Sequence, residues 1–348
     1  MTKRFARLVL HIGQHKTGTT SLQRTLSLNR AGLARRGVIY PRLPGWRDAH
    51  HALVPALVGA ENCAAYVRRR LGRTDADAAA VSARALGGVQ ALADDRPDDT
   101  LVLSSEAIFR SLPDFAFDGL LETLSGLARD VRLVCYIRHP ADQYLSAVNT
   151  LAQSLRGLRP PARLGRRRPL SGYVGREGVD LLVRPFLPAE LEEGDMVADF
   201  LVRGIGIRSR DASLRPGAPL NRTLSAEALA LFIDYAGRRG EPGDGTLGRW
   251  DLVFREMVRL LDRRLPGYAR PALRPGLAEA VLRETDDLGW LRDVCGCVFP
   301  DVDYESVGTG SGVDFQRIVR IDQLCGIDPR RLARLRRRVE WLMPRRKI

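Results

Sequence analysis

Leu8-Val9-Leu10-His11-Ile12-Gly13-Gln14-His15-Lys16-Thr17-Gly18-Thr19-Thr20-Ser21-Leu22-Gln23 is the stretch on which the fold turns. Its apolar start reads as a buried strand. Glycines at 13 and 18 bracket a tight loop, and Leu22, Leu26 and Leu33 then recur on one helical face until Gly37 stops the pattern. A strand, a glycine-bracketed loop and a helix N-terminus expose backbone N–H groups together, and such a loop suits an anion.

The two glycines have the G-x-x-x-x-G spacing of a phosphate loop. A nucleoside triphosphatase, however, carries lysine directly after the second glycine. Here Thr19 holds that place and Lys16 lies inside the loop. The loop therefore reads as a phosphate-like anion site without the Mg-ATP arrangement. Lysine occurs at positions 3, 16 and 347 alone in a chain of net charge +14, whose other cations are arginines. A lysine inside the loop thus marks a place for a compact ammonium.

The first half alternates apolar runs with helical patterns, which predicts an α/β fold with a mostly parallel sheet flanked by helices. Strands are expected at 8–13, 38–40, 100–104, 131–137 and 179–183. Their continuous apolar character suits strands buried on both faces. A helix is expected from Pro140, with Tyr144, Val148 and Leu151 inward. Residues 157–169 read as an Arg/Pro/Gly-rich loop or flap. Beyond about 208 the character turns helical, so a core of 1–207 and a helical C-terminal part of 208–348 are expected. The last stretch, 329–348, reads as a basic amphipathic helix that packs Leu332, Leu335, Val339 and Leu342 inward and keeps its arginines in water. Peripheral contact with a membrane surface is the second reading of that helix.

At 348 residues and 45% apolar content the chain can bury a sizeable core. No run approaches the ~18 apolar residues of a membrane span. A cytoplasmic protein is expected, with the inner membrane surface as a second location. Five cysteines, an odd number, do not form a disulfide framework. Cys295-Gly296-Cys297 lacks a neighbouring histidine, so no metal site is expected. Arginine runs without interleaved aromatics give no reason to expect a nucleic-acid partner.

A second anion element follows the run Val131-Arg132-Leu133-Val134-Cys135-Tyr136-Ile137. Arg138 ends this strand where ligands sit in open α/β sheets. Ser146, eight residues on, tilts back toward the start of the next helix. Together the two elements resemble the sulfotransferases that use 3′-phosphoadenosine 5′-phosphosulfate. Lys16-Thr17-Gly18-Thr19-Thr20 is similar to that family's 5′-phosphosulfate loop, and Arg138 with Ser146 to its 3′-phosphate pair. The strings His15 to Gln23 and Tyr136-Ile137-Arg138-His139-Pro140 look most like the bacterial branch. Arg184-Pro185-Phe186, Ala198-Asp199-Phe200-Leu201 and Asn221-Arg222-Thr223-Leu224-Ser225 also look like it. The resemblance covers about residues 7–225, and the Arg-Lys-Gly motif of eukaryotic members is absent.

The resemblance implies a P-loop-like sulfotransferase fold and a donor site of His15, Lys16, Thr17, Gly18, Thr19, Thr20, Ser21, Arg138 and Ser146, with no metal. It also implies transfer of a sulfuryl group to an acceptor hydroxyl, with a glycan or glycolipid as the acceptor class. Lys16 suits charge developing on the leaving phosphate. Glu106, ending an apolar strand, is the candidate base, and burial is expected to raise its pKa. The alternative reading of Glu106 is a cap or an arginine partner. His50 and His51 are candidate acceptor contacts, with ordinary surface histidines as the plainer reading. A P-loop kinase or nucleotide phosphohydrolase and a non-enzymatic polyanion binder are the competing functions. The first lacks its Gly-Lys-[ST], and the second rests on charge alone.

Overall fold

The computed structural model describes residues 4–110, 112–161, 165–208, 223–239 and 247–343. Five strands form where the apolar runs lie: β1 (Phe5–Gly13), β2 (Val38–Ile39), β3 (Thr100–Ser104), β4 (Ala128–Ile137) and β5 (Val179–Pro185). They make one sheet in the order β2-β3-β1-β4-β5, and every neighbouring pair is parallel. The α/β class with a parallel sheet flanked by helices is therefore the observed one. β1 lies in the centre, and the chain builds β2 and β3 on one side before crossing to β4 and β5 on the other. That reversal puts a crevice at the carboxyl ends of β3, β1 and β4, the usual ligand position in such sheets.

The chain divides into two compact units, 1–139 with 165–220 and 289–300, and 140–164 with 221–288 and 301–348. A single cut after 207 was suggested by sequence; the observed division is interleaved.

In the first unit, helix α1 (Thr19–Leu28) begins directly after the glycine-bracketed loop. Its Leu22 and Leu26, with Leu33 beyond it, pack against Val9, Val102 and Val134 of the sheet. The apolar spacing of the sequence thus fixes α1 on β1 and holds the loop at the sheet's edge. The segments 184–186 and 198–201 meet on one buried carboxylate. Asp199, fully buried, accepts from Tyr136 Oη at 2.8 Å and pairs with Arg184 at 2.7 Å. This ties β5 and β4 to the helix Met196–Asp199.

The 157–169 stretch is not a loop throughout. A short helix forms at Arg167–Ser171, and Arg166 is buried, while 162–164 lie outside the described residues. Residues 221 and 222 of the last resembling string lie outside them too.

The second unit contains the helices Pro140–Gln153, Ala226–Arg239, Arg249–Arg264 and Pro329–Leu342. Tyr144, Val148, Phe232, Phe254, Leu335 and Val339 share one core. Leu151 is only half-buried, and Ala152 takes the inward place beside it. The last helix buries Leu335 and Val339 as expected, but Leu342 is exposed. Its arginines are not all in water either: Arg331 is wholly buried and pairs with Glu227 and Asp262, each at 2.8 Å. Heptad-like spacing cannot distinguish an arginine facing solvent from one facing a buried carboxylate, so the ion cluster is invisible in the sequence.

Candidate active site at the carboxyl ends of the central strands

The loop between β1 and α1 owes its shape to three backbone conformations. Gly13 has φ +125°, Lys16 φ +70° and Gly18 φ +82°. Gly13 has a second reason to be glycine, since a Cβ there would lie 3.1 Å from Phe109 Cβ. The Thr17 hydroxyl donates to the Gln14 carbonyl at 2.6 Å, and Gln14 N donates to the Tyr136 carbonyl at 2.9 Å, so the loop is fastened to β4. Thr17 therefore spends its hydroxyl on the loop itself and has only its backbone to offer a ligand. The Gly18 carbonyl accepts from Ser21 and Leu22. The backbone N–H groups of Lys16, Gly18, Thr19 and Thr20 have no acceptor among the described residues. Four unspent donors around one turn, opening onto a helix N-terminus, suit a dianionic oxygen cluster.

Two cations stand at this loop. The Lys16 side chain is exposed, yet enough protein surrounds it to lower its pKa; burial acts first, the nearby Arg138 adds to it, and Glu106 opposes. Arg138, at the end of β4, donates from Nη1 to the Lys16 carbonyl at 2.9 Å, and its guanidinium lies 5.9 Å from the Phe186 ring centre. Its backbone N donates to Gln14 Oε1 at 3.2 Å. The β4 terminus and the loop thus form one body. Ser146, the expected partner of Arg138, lies in the second unit on the helix Pro140–Gln153. It is half-buried, and its carbonyl accepts from Thr150 Oγ1 at 3.0 Å.

On the β3 side, Ser105 N donates to the His11 carbonyl, which sets the turn Glu106–Ile108 beside β1. Glu106 accepts from Gln23 Nε2 at 2.8 Å and faces His51 Nε2 at 3.8 Å. It neither caps the turn with its side chain nor pairs with an arginine among the described residues. The expectation of a raised pKa is overturned. Burial does push the carboxyl upward, but His51, the residue's own backbone N–H, Gln23 and His15 together outweigh it. Glu106 is held below the usual carboxylate range.

His50 and His51 are not surface histidines; both are buried. His50 Nδ1 accepts from Ser104 N at 3.0 Å, so Nε2 bears the proton and donates to the Pro41 carbonyl at 2.9 Å. With both nitrogens engaged and burial driving its pKa down to about 3, His50 stays neutral and braces the loop against β3. His51 bonds Ser105 Oγ through Nδ1 at 2.8 Å, and the rings of Trp46 and Tyr66 meet it edge-on at 5.1 and 6.0 Å. Burial lowers its pKa, against the pull of Glu106. At 3.8 Å the His51 Nε2 lies too far from Glu106 Oε1 for a hydrogen bond.

His15 is exposed in the loop, its pKa lowered first by surrounding protein and then by Lys16 and Arg110, with Glu106 opposing. His11 is buried in β1, bonded to Ser104 Oγ at 2.9 Å, and burial lowers its pKa to about 4. His139 is buried edge-on to Phe299.

Gln23, Trp46, Tyr66 and Arg110 were not anticipated. Gln23 had one legible signal: it sits on the buried face of α1 beside Leu22 and Leu26, where a polar side chain needs partners. Trp46, Tyr66 and Arg110 come from loops and short helices whose spacing carries no such mark. Among the described residues no group of three or more His, Cys, Asp or Glu side chains is placed to hold a metal, and no helix is long and apolar enough to cross a membrane.

The first unit thus presents an anion cradle with two cations on one side and an ionised carboxylate on the other. Comparison of the chain with models of protein families, with curated proteins and with solved structures finds no match.

Proposed function

We propose that the chain is a sulfotransferase, moving a sulfuryl group from 3′-phosphoadenosine 5′-phosphosulfate to an acceptor hydroxyl of a glycan or glycolipid. The observation that carries this reading is the meeting of the 14–18 loop with Arg138, just past the end of β4, and Glu106, just past the end of β3. The N–H groups of Lys16, Gly18, Thr19 and Thr20 hold the 5′-phosphosulfate. Arg138 supplies a cation for the 3′-phosphate.

The acceptor oxygen attacks sulfur as the sulfur–oxygen bond to the 5′-phosphate breaks. The acceptor's proton passes to Glu106, and the bonding pair leaves with adenosine 3′,5′-bisphosphate. A carboxylate held below its usual pKa is a weak proton acceptor in the ground state. It becomes adequate as the attacking hydroxyl acidifies along the reaction, and it is ionised throughout the neutral range. Lys16 meets the charge developing on the leaving oxygen, an interaction that strengthens in the transition state. Gln23 and His51 are positioning residues for Glu106.

The test is release of adenosine 3′,5′-bisphosphate from the donor in the presence of a glycan panel. The wild type should release it only with an accepting glycan. Lys16→Ala should lower kcat by about 10²–10³, the scale for losing one oxyanion donor. Release that Lys16→Ala leaves intact would remove the proposal.

A further inference from the structure

Beside this crevice the first unit holds a cavity of about 460 Å³ lined by Ser27, Leu28, Arg30, Arg42, Leu43, Trp46 and Arg47. That volume falls in the range of about 300–1,000 Å³ typical of small-molecule sites. Its charge is one-sided. Arg24 and Arg70 also stand close by: Arg24 pairs with Asp48 at 3.7 Å, and the Arg70 guanidinium lies 5.4 Å from the Trp46 ring centre.

The arginines have different tasks. Arg30 is committed to the fold, donating to the carbonyls of Tyr40, Pro41 and Arg47 and to Ser27 Oγ. It pins the 40–47 segment to the end of α1. Arg42 and Arg47 are exposed, and their guanidiniums have no hydrogen bond or ion pair among the described residues. Two unspent guanidinium forks beside a third, fixed one give a field that a carboxylate or sulfate would satisfy bidentately. The indole of Trp46 supplies an apolar wall, and its other neighbour is His51, which faces Glu106. The cavity and the candidate base therefore share one aromatic partition.

We infer that this cavity binds the acidic sugar next to the accepting one, so that the acceptor is an anionic glycan whose carboxylate or sulfate rests on Arg42 and Arg47 and whose ring lies against Trp46. The inference rests on the proposed function for its link to transfer, but the cavity's ligand class can be tested alone. A single aromatic ring gives no stacking ladder for successive bases, which disfavours a nucleic acid. Leu28, Leu43 and one indole give too little apolar wall for an acyl chain.

Calorimetry with tetragalacturonate, and with maltotetraose as the neutral chain of equal length, decides the matter. The wild type should bind tetragalacturonate at least tenfold more tightly than maltotetraose. Arg42→Ala/Arg47→Ala should lose at least tenfold of that affinity, and Trp46→Ala should weaken both sugars. Both arginines are exposed and unpaired, so the double variant should match the wild type in thermal unfolding and in affinity for adenosine 3′,5′-bisphosphate.

No binding of tetragalacturonate, equal binding of the neutral sugar, or indifference to the double substitution overturns the inference. Equal binding of tripolyphosphate or of a single-stranded RNA oligomer also overturns it, by making the patch a general polyanion surface. Should adenosine 3′,5′-bisphosphate fail to bind while tetragalacturonate binds through Arg42 and Arg47, the donor reading falls and the acidic-sugar site stands.

Discussion

Glu106 and its histidine neighbours set the pH behaviour of the site. Because the Glu106 carboxyl lies below its usual range, the proposed base is already ionised at neutral pH. Transfer should therefore be flat from about pH 6 to 8, and Glu106→Gln should remove most of kcat while leaving donor affinity within about threefold. A rate that instead rises through a midpoint near 6.5 would assign the base to an imidazole. His11 and His50 make a separate prediction about stability. Their folded pKa values, about 4 and about 3, lie below the ordinary 6.5 because burial disfavours the charged ring. Below pH 6.5 the unfolded chain binds protons that the folded chain refuses, so stability falls as pH falls. Each histidine should contribute a loss of about 2 kcal/mol between pH 6.5 and 5. Urea unfolding at the two pH values measures the sum, and imidazole NMR signals of His11 and His50 should not titrate above pH 5.

At the scale of the element, the strand–loop–helix shows what was legible and what was not. The apolar runs and the positions of Gly13 and Gly18 sufficed for β1, α1 and the parallel sheet, because buried parallel strands and an amphipathic helix impose their periods on the sequence. The loop's Lys16, with its neighbouring N–H groups, and the strand-end Arg138 were legible for the same reason: their place follows from the elements they terminate. The contacts of His50, His51 and Gln23 were not legible, since each depends on segments distant in sequence meeting at the end of β3. The two glycines also differ in kind. Gly18 has room for a methyl group, its nearest neighbours being Met196 and Phe186 at 3.6 Å, so only its positive φ resists substitution. Gly18→Ala should cost about 1 kcal/mol. Gly13→Ala adds overlap with Phe109 to an unfavourable φ and should cost more, roughly 1–3 kcal/mol for the backbone alone. Thermal unfolding of the two variants should keep that order; the reverse order would mean the loop relaxes freely at Gly13.

For the molecule as a whole, the second unit depends on a charge that a sequence reading puts in water. Arg331 donates to Ser225 Oγ at 2.6 Å, to Glu227 Oε2 at 2.8 Å, and to the Asp262 carbonyl and Oδ1 at 2.8 Å each. Arg331→Leu strands two buried carboxylates and should destabilise the protein by about 3–5 kcal/mol. A loss below 1 kcal/mol by urea unfolding would mean that water reaches the cluster. Function is less legible than fold at this scale, because a loop that suits an anion does not say which anion. The most direct test of the central claim is calorimetry of adenosine 3′,5′-bisphosphate without metal, against 5′-AMP and Mg-ATP, on the wild type and Arg138→Ala. The account predicts at least tenfold tighter binding of the bisphosphate than of 5′-AMP, with that preference abolished by the substitution. Equal binding of the two nucleotides, or tight binding of Mg-ATP alone, would contradict it and favour a kinase-like chemistry for the same loop.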